Sequence, residues 1–179
     1  MAEGWVSEGG ISRRHVVQSA LWLAPAVVVA QALPAAVSSV VLGIPSVFPG
    51  QWTMADLIFT QLLGGTVTVA NFAPTGAAAV DDVTLVISVP LTRVGTGQGQ
   101  VQEGPGWSYL SRADTGTDAL FTFLWTGSLE VGASTDTLTA RLPKKDVSTL
   151  PFEISLQASG TSNSLNVEGG AVPVTVLDR

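Results

Sequence analysis

The strongest constraint on what this chain can fold into is a period-two alternation of side chains through its second half. Val83, Leu85, Ile87 and Val89 alternate with Thr84, Val86 and Ser88. Phe121, Phe123 and Trp125 alternate with Leu120, Thr122, Leu124 and Thr126. Leu138, Ala140 and Leu142 alternate with Thr137, Thr139 and Arg141, and Phe152, Ile154, Leu156 and Ala158 with Glu153, Ser155, Gln157 and Ser159. Leu165, Val167 and then Val172, Val174 and Val176 continue the pattern. Successive strand residues point to opposite faces, so each run predicts a strand with one buried face. Segments 39–48, 52–63 and 65–72 are also strand-like, and 52–63 admits a helical turn. Turn signals fall at Phe48-Pro49-Gly50, Gly64-Gly65, Pro74-Thr75-Gly76, Gly95 to Gly99, Gly104-Pro105-Gly106 and Gly169-Gly170. Pro90, Pro151 and Pro173 are expected at strand edges or starts, where a missing amide is tolerated. No helical apolar period follows residue 63. The expectation is an all-β antiparallel sandwich.

The first 38 residues have a different grammar. Ser12, Arg13 and Arg14 precede Val16-Val17, and an apolar run continues through Ala20-Leu21-Trp22-Leu23-Ala24 and Val27-Val28-Val29-Ala30. Small residues then dominate, among them Ala32, Ala35, Ala36, Ser38 and Ser39. A charged start, an apolar centre and a small-residue cleavage zone are the parts of an export signal. Ser12-Arg13-Arg14-His15-Val16-Val17 resembles the twin-arginine pattern, and the stretch Ala20 to Ala36 is similar to signals of exported actinobacterial proteins. The resemblance implies passage through the twin-arginine translocase, export in the folded state, and removal by signal peptidase. A cut at Ala36-Val37-Ser38, leaving Ser39 first, is preferred over one at Ala30-Gln31-Ala32. The other reading is an uncleaved anchor. A spanning helix needs about 20 apolar residues; residues 16–37 reach that length but are interrupted by Gln18, Pro25, Gln31 and Pro34. The expected organisation is an N-terminal hydrophobic signal helix over 1–38 and a sandwich domain over 39–179. The membrane is expected to be involved only through the N-terminal segment.

Composition narrows the function. The chain has no cysteine, and its one histidine, His15, lies in the signal. The sandwich therefore lacks Cys- and His-based zinc or copper ligands. It also lacks an imidazole base for Ser-His-Asp or Cys-His nucleophiles, and the chain cannot form a disulfide. Beyond the signal, six basic residues face twelve acidic ones, matching the whole-chain net charge of −6. An acidic surface repels phosphates, which argues against nucleic acid as a partner. Lys144-Lys145 is a pair and not a basic patch.

The second half carries Gly106-Trp107-Ser108-Tyr109, then Phe121-Thr122-Phe123, then Gly127-Ser128-Leu129 and Gly132-Ala133-Ser134 ahead of an alternating strand. Over residues 80–177 this resembles the Ig-like conserved-repeat domains of bacterial and archaeal surface proteins. The resemblance implies an Ig-like sandwich. Many members carry a cysteine pair near the Trp strand and the aromatic strand. Tyr109 and Phe123 occupy that neighbourhood here.

Candidate sites each carry a plain alternative. Trp52, Trp107 and Tyr109 are candidate stacking residues for a sugar ring, or else core. Asp114-Thr115-Gly116 matches the aspartic protease triplet. That chemistry needs two carboxylates sharing a proton, and a single triplet preceded by Ser111-Arg112-Ala113 reads as a turn. Asp81-Asp82, or Asp114 with Asp118, offers oxygens to calcium without a calcium-loop spacing. Glu103, Glu130 and Glu153 are not drawn together by sequence. The expectation is a secreted or cell-surface, non-enzymatic structural or adhesive module with no cofactor. Its expected partner is an envelope protein or a polysaccharide. A carbohydrate-binding module and a carboxylate-based hydrolase are the alternatives.

Overall fold

In a computed structural model of the chain, residues 40–57, 60–145 and 151–178 are described. The chain divides between Ser39 and Val40, and the fold is that of the second unit. The expected N-terminal helix lies outside the described residues. Among those that are described there are ten strands, and no helix long and apolar enough to cross a membrane.

The strands are β1 (Pro45–Leu57), β2 (Thr60–Asn71), β3 (Val80–Pro90), β4 (Gln100–Glu103), β5 (Trp107–Asp114), β6 (Asp118–Leu129), β7 (Leu138–Pro143), β8 (Phe152–Ser162), β9 (Leu165–Glu168) and β10 (Val172–Asp178). They hydrogen-bond in the order β4-β7-β2-β1-β10-β8-β3-β6-β5, and β9 pairs with β8. The proline expectation holds: Pro90 ends β3, Pro151 precedes β8, and Pro173 is second in β10.

The antiparallel part of the expectation needs correction. β1 and β10 pair in parallel through Trp52↔Val176, Thr53↔Leu177 and Met54↔Asp178, so the sheet is mixed. Parallel neighbours need a long connection, and here more than half the chain separates them. This pair joins β4-β7-β2-β1 to β10-β8-β3-β6-β5 as one continuous sheet. The sheet curls until its end strands, β4 and β5, approach without pairing, which nearly closes a barrel.

Alternation fills the interior. Leu85 lies opposite Phe123 and Ala158, and Ile87 opposite Phe121 and Leu156, all fully buried. Burying a side chain of that size stabilises by about 1.5–3 kcal/mol. Trp125 is in phase with Phe121 and Phe123 but only partly buried.

Two turn signals sit inside strands. Pro49 pairs with Val67 and Trp52 with Gly65, so Gly50 and Gln51 form an irregularity that bends β1 without ending it. Gly64-Gly65 lies within β2 for a packing reason. A Cβ on Gly65 would collide with the Trp52 ring, so only glycine lets the indole lie across the strand. The 52–63 region holds no helical turn among its described residues.

Candidate functional site

Ser12, Arg13, Arg14, Val16 and Val17, and the cleavage residues Ala36, Ser38 and Ser39, lie outside the described residues. The stacking candidates are all described, and they do not form a platform. Trp52 is 1% exposed and belongs to the core over Gly65. Trp107 is 7% exposed, and its Nε1 donates to the Asp136 carbonyl at 2.8 Å. Tyr109 is half-buried, packed edge-on to Phe123 at 5.5 Å between centroids. A sugar ring needs an open aromatic face, and neither indole offers one. The reason is local: the bend in β1 and the turn before β5 aim both indoles inward.

The carboxylates are spread over the surface. Asp81 stands at the start of β3, Glu103 at the end of β4, Asp114 at the end of β5, and Glu130 just past β6; all four are exposed. Among the described residues, no three His, Cys, Asp or Glu side chains are grouped to hold a metal ion. Asp114-Thr115-Gly116 opens the β5–β6 turn. The Thr115 amide donates to the Asp118 carbonyl at 2.7 Å, and the Asp118 amide donates back to Thr115 Oγ1 at 3.0 Å. This is a side-chain-braced turn.

Among the described residues, two shallow, open grooves cross the surface. One runs along the outer edge of β5, lined by Gly97, Gln98, Tyr109, Ser111, Arg112 and Asp114. Arg112 organises it. Its Nε and Nη2 donate to the Asp114 carboxylate at 2.7 and 3.1 Å, and Nη1 donates to the Gly95 and Gly97 carbonyls at 2.6 and 2.9 Å. The guanidinium also lies 5.2 Å from the Phe121 ring centre. With its donors committed, Arg112 straps the 91–99 loop across the sheet edge, and little of it is left for an incoming anion. The second groove is lined by Asp82, Thr84, Ser159, Thr161, Asn166 and Glu168 beside the β8–β9 hairpin. Asp82 has φ +50° where β3 bulges between Asp81 and Val83.

Asn71, fully buried at the end of β2, makes as many side-chain hydrogen bonds as Arg112. Its Oδ1 accepts from the Ile44 and Ala73 amides at 3.1 and 3.3 Å. Its Nδ2 donates to the Leu129 and Ala78 carbonyls at 3.0 and 3.3 Å. All four amide valences are used. They tie the segment before β1 to the loop after β2 and to the end of β6. The segment before β1 is held at further points. The Ala78 amide donates to the Val41 carbonyl at 2.9 Å, and the Gly43 amide donates to Ser162 Oγ at 2.9 Å.

Sequence patterns missed Asn71, Arg112 and an exposed apolar group formed by Ile44, Phe48 and Phe72. An asparagine closing an apolar run is a faint signal of the first, and a strand-end Arg-x-Asp of the second. The third follows from phase: Pro45 and Val47 point inward, which turns Ile44 and Phe48 outward. No known protein-family model and no curated protein matches this chain.

Proposed function

We propose that the chain is an exported, non-enzymatic β-domain that works in the medium or at the cell surface as a structural or adhesive interaction module. The observation that carries this reading is the order of parts. Ser12-Arg13-Arg14-His15-Val16-Val17 heads an uncharged apolar segment, and a strand domain begins directly after it. The cysteine-free composition suits a domain that folds before export and needs no oxidising compartment. Within this reading the domain is an Ig-like relative, supported by the alternating strands and the Gly106-Trp107 opening of β5. The translocase is its partner in transit, with signal peptidase where the N-terminal segment is removed, and an envelope protein or polysaccharide is its partner afterwards.

The test is the intact mass of the protein recovered from culture medium and from the cell envelope. Alongside it runs a variant carrying Arg13→Lys and Arg14→Lys. A medium species beginning near Ser39, or an envelope species retaining Arg13-Arg14, supports export. The double variant should then accumulate inside the cell. A parent protein found only in the cytoplasm, at a level the double variant does not change, overturns the reading.

A further inference from the structure

We propose that the β1–β2 side of the domain seats on a lipid bilayer, with Ile44, Phe48 and Phe72 as the side chains that enter it. The inference rests on the export reading, in its form where residues 16–37 stay in the membrane. Phe72 is 72% exposed, and Ile44 and Phe48 are each about half exposed. They are neighbours: the Phe48 and Phe72 rings stand 5.7 Å apart, and the Phe72 amide donates to the Ile44 carbonyl at 3.2 Å. Val40 and Val41, also exposed, lead into them. Leaving this much apolar surface in water is unfavourable, and aromatic side chains settle readily at the boundary between headgroups and acyl chains.

Chain length points to the bilayer as the occupant. Only Ser38 and Ser39 separate Val37, the end of the apolar segment, from Val40. Three residue steps span at most about 10 Å. The domain end of that tether is not free to swing, because Val41, Gly43 and Ile44 are each hydrogen-bonded into the domain. A membrane-held segment 16–37 therefore keeps Val40 within about 10 Å of the lipid.

Charge agrees. Between Arg14 and Asp81 the chain has a single charged residue, Asp56, near the far end of β1 from Ile44. The acidic residues at the Ile44 end, Asp81, Asp82, Glu130 and Glu168, lie on β3, just past β6 and at the end of β9, none of them on β1 or β2. An anionic bilayer repels carboxylates, which favours the β1–β2 side as the one facing it.

The experiment uses the full chain in vesicles of phosphatidylglycerol and phosphatidylethanolamine. Because the chain has no cysteine, Phe72→Cys and, separately, Gly116→Cys each give a unique site for a polarity-sensitive fluorophore. Gly116 lies in the β5–β6 turn, at the other end of the strands, with open space around it. Flotation reports whether the chain is held by the vesicles, and quenching by headgroup-depth nitroxide lipids reports contact. A floated protein whose label at 72 is quenched several-fold more than its label at 116 supports the seat. A floated protein with both labels equally in water overturns the seat and leaves the anchor standing. Protein that does not float at all overturns both.

Discussion

Replacing Asn71 by aspartate keeps the shape of the side chain and inverts half of its hydrogen bonding. The acceptor oxygen still receives the Ile44 and Ala73 amides. The donor is gone, and the Leu129 and Ala78 carbonyls face a carboxylate oxygen in its place. Each buried polar group left without a partner costs about 1–3 kcal/mol. Two carbonyls and a buried charge, offset in part by stronger bonds from the two amides, place the loss at about 3–5 kcal/mol. For a domain of this size that is a fall in melting temperature on the order of 10 °C. The loss should also depend on pH. Burial raises the carboxyl pKa in the fold above its unfolded value of about 3.9. The folded variant then binds a proton more tightly than the unfolded one. Its deficit against the parent grows as pH rises above about 4 and levels off beyond the folded pKa. Protonation restores one donor, so the deficit is smallest in mild acid. The assay is urea unfolding followed by tryptophan fluorescence at pH 4.5 and pH 8 for parent and Asn71→Asp. A deficit below about 1 kcal/mol at pH 8, or one that grows as pH falls, would refute the account of Asn71 as the knot of this end of the barrel.

Arg112→Met removes the strap over the β5 edge. Asp114 is about half exposed and the freed carbonyls can reach water, so the ion pair itself is worth under about 1 kcal/mol and the whole change about 1–3 kcal/mol. Limited proteolysis should cut within 91–99 earlier in the variant, and unchanged cleavage there would remove the strap from the account. Ser164→Gly should stabilise the domain. Asn163 and Ser164 both have positive φ, +49° and +63°, in the two-residue β8–β9 turn, where Asn-Gly is the favoured pair. The expected gain is about 0.5–1 kcal/mol in the same unfolding assay, and a loss would show that the Ser164 side chain contributes more than its backbone costs.

Much of the sheet was legible because alternation reports one thing directly, a strand with a buried face. β3, β6, β7 and β8 follow their apolar phases closely. Glycine misled where packing was its purpose. Gly64-Gly65 reads as a turn until Trp52 is placed above Gly65, and that contact joins residues on two strands. The parallel β1–β10 pair was hidden for a related reason, since no local pattern encodes which of two distant edges will meet. The tryptophans were ambiguous because composition says nothing of which way a ring points. The candidate seat at Ile44, Phe48 and Phe72 was obscured by the same alternation that revealed the strands. An outward apolar residue looks like an error of phase until its neighbours are seen to share it.

The place of β10 in the sheet sets an order of events. It is the strand between β1 and β8, so until it arrives no strand pairing joins the β4-β7-β2-β1 ribbon to the β8-β3-β6-β5 ribbon. A chain emerging from the ribosome presents Val172–Asp178 only after β1 to β9 have been made. Closure therefore waits for synthesis to pass β10, and its rate is governed by contacts between residues far apart in the chain. Until then the nascent chain holds two half-sheets with unpaired inner edges, and this is the interval in which a chaperone, or a second copy, has a strand edge to bind.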